Sequence, residues 1–333
     1  MSWDVDHTTG GRTTGGRTTV RDVLIDAERR LVAAGVPSPN VDAAEIIAFV
    51  LGVRRNRLIL QDLVTAAQRV RVEQLMTKRL SRVPLQHLLG TAAFRHIELQ
   101  VGPGVFIPRP ETELVVEAGI RELRELPVSE RIAVDLCSGS GAIALSIGIE
   151  VKNSRVYAVE LDDEAVRWTR RNLAAHEVAL AEACSRVDVV HDDAALVADP
   201  GHGLARLAGQ VSVIVANPPY IPARMVPREP EVRDHEPKVA LFAGEDGLDV
   251  VRGVLRTAAI LLKPGGMLVI EHADVQGADA GLLGVAGLAQ SLVAGDELAL
   301  LAKMSIGTRV WPEVIDRMDL NGLPRFTIAR RSS

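Results

Sequence analysis

Between Val20 and Leu89 apolar residues recur every three or four positions. "VRDVLIDAERRLVAAG" puts Val20, Val23, Leu24, Ala27 and Leu31 on one stripe, with Gly35 following as a stop. Asn40 is expected to cap a second helix, "VDAAEIIAFVLG", ending at Gly52, and Thr65 and Gln68 have capping-box spacing ahead of "AAQRVRVEQLMTKRLSR". This pattern predicts a small helical bundle over residues 20–91. Over 92–112 the helical period is lost. "FRHIELQVGPGVFIPRPETE" reads as a hairpin around Gly102-Pro103-Gly104 that runs into an extended linker held by Pro108 and Pro110. From residue 113 to 333 short apolar runs alternate with amphipathic stretches. "ELVVEAGIRELREL" is helical; "RIAVDLCSGSGAIALSIGIE" is strand, glycine turn and helix; "SRVYAVEL", "VDVVHDD" and "VSVIVANPPY" are strands, with the helix "DEAVRWTRRNLAAHE" after the first of them. Alternation of this kind predicts an α/β domain with a parallel sheet and helices on both faces, whose ligand edge is the carboxyl ends of the strands. Asp135, Glu160, Asp193 and Asn217 all fall at or just beyond predicted strand ends.

Composition narrows the picture. A chain of 333 residues with 47% hydrophobic content can bury a full core and is expected to form two domains. Residues 1–19 carry the repeat "GGRTTGGRTT", too polar and glycine-rich to bury anything, and are expected to be a disordered tail. A formal net charge of -5 supplies no global basic field for nucleic acid or an anionic membrane. Cys137 and Cys184 make no disulfide framework, no Cys/His spacing resembles a zinc site, and so no metal is expected. The longest apolar stretch, Leu282 to Ala302, is broken by Gln290, Asp296 and Glu297, and no apolar leader opens the chain, so a cytoplasmic protein is expected. Arg54, Arg55, Arg57, Arg69 and Arg71 raise the question of a DNA-binding bundle. No compact recognition helix stands out among them, which favours a solvated face that docks a protein partner or packs on the main domain.

The candidate chemistry lies in two motifs. Gly139-x-Gly141-x-x-Ala144 after a strand, with acidic Glu160 following, fits a dinucleotide site as well as it fits S-adenosylmethionine; a carboxylate at the second strand end can accept from both ribose hydroxyls. Cys137 in this loop reads as a small filler. The stretch Asn217-Pro218-Pro219-Tyr220 separates the two cofactors. A planar NH2 group shares its lone pair with the adjacent carbonyl or ring, so it must be held with that lone pair aimed at the methyl carbon. The Asn217 side-chain oxygen and the Pro218 carbonyl can each accept one N–H, the prolines fix the backbone, and Tyr220 can stack on the flat group.

These motifs, with "PLQHLLGTAAFRHIELQV", "FIPRPETE" and "EPKVALFAGEDGLDVVR", resemble the bacterial release-factor glutamine methyltransferases of the PrmC/HemK type. The resemblance implies a Rossmann-like class I S-adenosylmethionine-dependent methyltransferase domain behind a helical domain that docks the substrate. It further implies methylation of the side-chain amide of the glutamine in the Gly-Gly-Gln motif of peptide chain release factors. Cys137, Ser138, Gly139, Ser140, Gly141, Glu160 and Asn217 would then contact the cofactor, with Asp192 or Asp193 near the adenine. Asn217, Pro218, Pro219 and Tyr220 would hold the glutamine, joined by Phe106 and Arg109. A monomer without direct nucleic-acid or membrane contact is the accompanying expectation. A nucleic-acid adenine amino-methyltransferase is the alternative, opposed by 3% aromatic content and the negative charge, since base flipping needs a basic, aromatic surface. A non-enzymatic adenosine-binding module would have no use for the asparagine motif.

Overall fold

The computed structural model describes residues 18–333, so the glycine-rich tail lies outside the described residues up to position 17. Thr18 and Thr19 form a two-residue strand β1 paired with β2, Leu63–Val64, and the Thr19 hydroxyl accepts the Asp22 N–H at 3.1 Å. These two residues therefore belong to the fold and not to the tail, because a helix start needs its free N–H groups satisfied. The described chain separates into one compact unit up to Leu89 and a second over Gly90–Ser333.

The first unit is a helical bundle of α1 (Val20–Ala33), α2 (Pro39–Leu51), α3 (Ala66–Leu80) and α4 (Leu85–Leu89). Its core joins Leu31, Ile46, Ile47 and Met76, all fully buried. The capping box at Thr65 and Gln68 is present, and Gly52 closes α2 in the left-handed conformation. The start of α2 differs from expectation. Pro39 takes the first helical position, where its missing N–H costs nothing, and so the helix begins before Asn40 could cap it. The buried Arg79 Nε donates to Asp42 at 2.6 Å, which leaves neither charge alone in the core.

The second unit opens with a hairpin of β3 (Thr91–Phe94) and β4 (Ile97–Gln100). The turn is at Arg95-His96, not at Gly102-Pro103-Gly104. Arg95 adopts φ 49, and its N–H is taken by the Glu113 carboxylate at 3.0 Å while its guanidinium reaches Glu117 and Glu150. That anchoring fixes the turn early. Nor is this segment a linker: Phe94, Leu99, Val101, Val105 and Ile107 are buried in the unit's own core.

Then follow α5 (Thr112–Glu125), β5 (Ile132–Leu136), α6 (Ala142–Glu150), β6 (Arg155–Glu160), α7 (Asp163–Ala175), α8 (Glu177–Glu182), β7 (Arg186–His191), β8 (Val211–Ala216), α9 (Pro230–His235), α10 (Asp249–Leu261) and β9 (Leu262–Glu271). The chain ends in α11 (Val285–Ser291), α12 (Asp296–Ala302), β10 (Glu313–Met318) and β11 (Pro324–Arg330). Seven strands form one sheet in the order β10-β11-β9-β8-β5-β6-β7; β7, β6, β5, β8 and β9 are mutually parallel, and β11 and β10 are antiparallel. Side chains alternate between faces. Val213 and Val215 join the core shared with α5 and α6, whereas Ile214 and Ala216 join the core shared with α10 and the buried Trp311. Each such fully buried Val, Leu or Ile contributes about 1.5–3 kcal/mol. Helices α11 and α12 cover this second face through Val285, Ala289, Ala299 and Ala302. Because β5 is flanked by β6 on one side and β8 on the other, the chain reverses direction there and opens a crevice at the strand ends. Among the described residues no helix is long and apolar enough to cross a membrane.

Candidate active site

The carboxyl ends of β5, β6, β8 and β9 border a cavity of about 790 Å³. Its wall holds Cys137, Ser138, Gly139 and Ser140 after β5, Glu160 at the end of β6, Asp193 after β7, and Asn217 to Tyr220 after β8. Phe106 and Arg109 also line it, the Arg109 guanidinium lying 4.7 Å from the Phe106 ring centroid and 2.5 Å from the buried Glu236 carboxylate. Two residues singled out with these are not on the wall. Gly141 turns the chain into α6 at φ 82, and a Cβ there would lie 3.0 Å from Thr169 Cγ2, so its part is to let the loop close. Asp192 is committed elsewhere: its oxygens take the N–H groups of Asp193 and Gly203 and the His202 ring, which ties down the 192–203 loop. The geometry thus separates Asp193 from Asp192.

Glu160 is held by three backbone donors. Oε1 accepts from Leu161 and Asp162, both at 2.9 Å, and Oε2 accepts from Gly139 at 2.7 Å. Each carboxylate oxygen has two lone pairs, so Oε1 is filled and Oε2 keeps one acceptor site. In this arrangement Oε2 is the oxygen with an acceptor site left for a ligand. Desolvation raises the Glu160 pKa against the pull of those N–H groups. Behind the loop, burial pushes the Asp135 carboxyl up to about 8; one oxygen accepts the Ala144 N–H at 3.0 Å. Desolvation and the nearby carboxylates of Glu160, Asp135 and Asp193 push the Cys137 thiol up as well, which keeps it neutral and unreactive.

Asn217 Nδ2 donates to the Thr112 hydroxyl at 3.3 Å. Its Oδ1 and the Pro218 carbonyl have no donor among the described residues, so both oxygens remain available to a ligand. The segment beyond is clamped: Ile221 exchanges backbone hydrogen bonds with Leu241 and Ala243, and Gln276 Nε2 donates to the Tyr220 carbonyl at 3.1 Å. Gly247 packs against the same carbonyl. At φ 76 it has a conformation that L side chains rarely adopt, and a Cβ would sit 2.4 Å from the Tyr220 oxygen. Gly247→Ala is therefore expected to lower stability by about 1–3 kcal/mol and to displace Tyr220, measurable as an earlier thermal transition and slower turnover.

Two family models match the chain: the PrmC N-terminal domain over residues 22–90 and the methyltransferase small domain over residues 120–227. A Streptomyces coelicolor relative named release factor glutamine methyltransferase is 45% identical, over 93% of this chain and 97% of its own. Relatives of the same name from Mycolicibacterium smegmatis and Mycobacterium tuberculosis are 41% and 35% identical over 94% of this chain, covering 98% and 92% of theirs. The chain belongs to the release factor glutamine methyltransferase family. Its second unit is the Rossmann-like class I methyltransferase fold, as the sheet order and parallel register require.

Sequence reasoning missed several residues of this methyltransferase cavity. Thr112 stands inside "FIPRPETE" without a signal of its own, and Glu271 ends β9 as Glu160 ends β6, a signal hidden because the first half of β9, Leu262-Lys263-Pro264-Gly265-Gly266, looks like a turn. Arg325 reaches the wall from β11. Burial pushes Glu271 up to about 7, opposed by the neighbouring Thr112 hydroxyl and by the charge of Arg325. Burial likewise raises the Tyr220 phenol, which stays protonated.

Proposed function

We propose that this protein transfers a methyl group from S-adenosylmethionine to the side-chain amide nitrogen of the glutamine in the Gly-Gly-Gln motif of peptide chain release factors. One observation carries the reading: Asn217 Oδ1 and the Pro218 carbonyl, two acceptors with no donor among the described residues, share a cavity with the glycine loop and Glu160. The cavity fits the cofactor. A Cβ added at Gly139 would meet nothing within 4 Å, so the loop backbone is open to close approach by a ligand, and Glu160 Oε2 keeps one acceptor site beside it. S-adenosylmethionine, when bound, supplies the electrophilic methyl carbon. Asn217 and Pro218 take one N–H each of the acceptor amide and so orient its nitrogen, which loses a proton as it gains the methyl group. The flat amide stacks on Tyr220, and Asp193 faces the adenine side. The helical bundle docks the release factor, and the enzyme works in the cytoplasm.

The test is methylation of a purified release factor with labelled S-adenosylmethionine, with duplex DNA as the competing substrate and mass spectrometry to locate the methyl group. A methyl group on the glutamine of Gly-Gly-Gln is expected. A methyl on adenine, or on another residue only, would overturn the proposal. Glu160→Gln replaces one carboxylate oxygen by an NH2 that faces backbone N–H groups, so cofactor affinity should fall about tenfold, or ~1.4 kcal/mol, by calorimetry.

A further inference from the structure

A primary amide brings two N–H donors and one carbonyl oxygen into a site. Asn217 Oδ1 and the Pro218 carbonyl answer the donors. The oxygen needs a donor of its own, or it is buried unsatisfied. Sheet order locates that donor. The glycine loop after β5, Glu160 on β6 and Asp193 after β7 all lie to one side of Asn217 along the ligand edge, whereas β9 and β11 lie to the other. Because β11 runs antiparallel, its first residues reach this edge: the Arg325 carbonyl accepts the His272 N–H at 2.9 Å, and Phe326 stands opposite Glu271. Arg325 therefore lines the cavity on the side away from the cofactor loop.

Its guanidinium is fixed by Asp319, whose side chain is 2% exposed. Asp319 Oδ2 accepts from Arg325 Nε at 3.2 Å and Nη2 at 3.0 Å, and Oδ1 accepts the N–H groups of Asn321 and Leu323 at 2.8 and 3.1 Å. Both carboxylate oxygens are thus filled. Arg325 Nη1 has no acceptor among the described residues, and no ion pair joins Arg325 to Glu271 on the same wall. The other arginines of the wall differ: Arg109 lies over the Phe106 ring and is bound to Glu236, and Arg228 is exposed. We infer that Arg325 is a further catalytic residue, whose Nη1 donates to the side-chain carbonyl oxygen of the acceptor glutamine, with Asp319 as its positioning residue; this deepens the glutamine-methylation reading and rests on it. The amide nitrogen gains the methyl carbon as the carbon–sulfur bond breaks onto sulfur, and it gives up one proton to water. Negative charge left by that proton is shared with the amide oxygen, where a fixed cation stabilises it.

The experiment uses the full chain with a release factor and S-adenosylmethionine. Arg325→Met keeps the unbranched stem and removes the guanidinium; it should lower kcat about thirtyfold to a hundredfold, with cofactor affinity by calorimetry within about twofold. Arg325→Lys keeps a cation beside Asp319 but not the planar fork, and should lower kcat about tenfold at an unchanged thermal midpoint. Guanidinium added below the concentration that shifts the midpoint should raise turnover of Arg325→Ala at least about fivefold and leave the wild type unchanged, which a residue that only pins the β10–β11 turn would not show. Wild-type kcat in Arg325→Met or Arg325→Lys overturns the inference, as does a lowered midpoint with kcat intact, a loss confined to cofactor affinity, or no rescue of Arg325→Ala. Should Arg325→Met fail to fold, Arg325→Lys decides. A wild-type enzyme that leaves the glutamine unmethylated would instead overturn the functional reading, and the inference with it.

Discussion

Asn217→Ala is expected to cut turnover about a hundredfold, roughly 2.7 kcal/mol of barrier, while cofactor affinity stays within about twofold. The truncation removes the side-chain oxygen of Asn217, which lines the cavity just after β8, and it leaves Glu160, Asp193 and the glycine loop untouched. Backbone geometry should survive, since Ile221 stays bonded to Leu241 and Ala243 and the Tyr220 carbonyl keeps Gln276. Calorimetry for the cofactor and single-turnover rates for methyl transfer separate the two quantities. Normal single-turnover rates would remove Asn217 from the chemistry. A parallel loss of cofactor affinity would make it a binding residue instead.

Replacing the substrate glutamine by glutamate should abolish methylation of that side chain, a loss of at least about a thousandfold. The substitution removes both N–H donors and presents a carboxylate to Asn217 Oδ1 and the Pro218 carbonyl, in a cavity whose wall already carries Glu111, Glu160 and Glu271. Acceptors then face an acceptor, and discrimination of this kind exceeds what shape alone provides, because polar groups on both sides lose their partners. Electron-transfer dissociation mass spectrometry of the altered release factor reads the outcome. Persistent methyl transfer to the glutamate oxygen would show that the pocket does not select for an amide.

What could be read from the sequence followed how local the signal was. Strands β5, β6, β7 and β8 announce themselves as short β-branched runs, because a parallel strand covered on both faces is apolar at nearly every position. The capping box at Thr65 and Gln68 is a three-residue signal and was equally plain. The asparagine motif and the glycine loop carry their chemistry in consecutive residues. The hairpin turn was misplaced because a Gly-Pro-Gly triplet looks more turn-like than Arg95-His96, whose geometry is held by carboxylates on α5 and α6. Thr112 and Asn217 are separated by 105 positions, and nothing near either shows that they share a hydrogen bond. That Asp193 lines the cavity while Asp192 does not depends on the folded 192–203 loop, which engages the Asp192 carboxylate with His202 and Gly203.

The sheet ends at β10 on one side and β7 on the other. Each outer strand presents a row of peptide groups on which a foreign strand could be laid, the route by which sheets grow between molecules. Both carry charge along that row. β10 sets Glu313 and Arg317 among its six residues, and its pairing slips between Arg317 and Met318, so its free edge is not a straight template. β7 places Arg186 and Asp188 in the same way. A second copy aligned along either edge would have to desolvate these charges to pair. Neutral substitutions at Arg186, Asp188, Glu313 or Arg317, none of which lines the cavity, would give up resistance to aggregation and leave the chemistry alone.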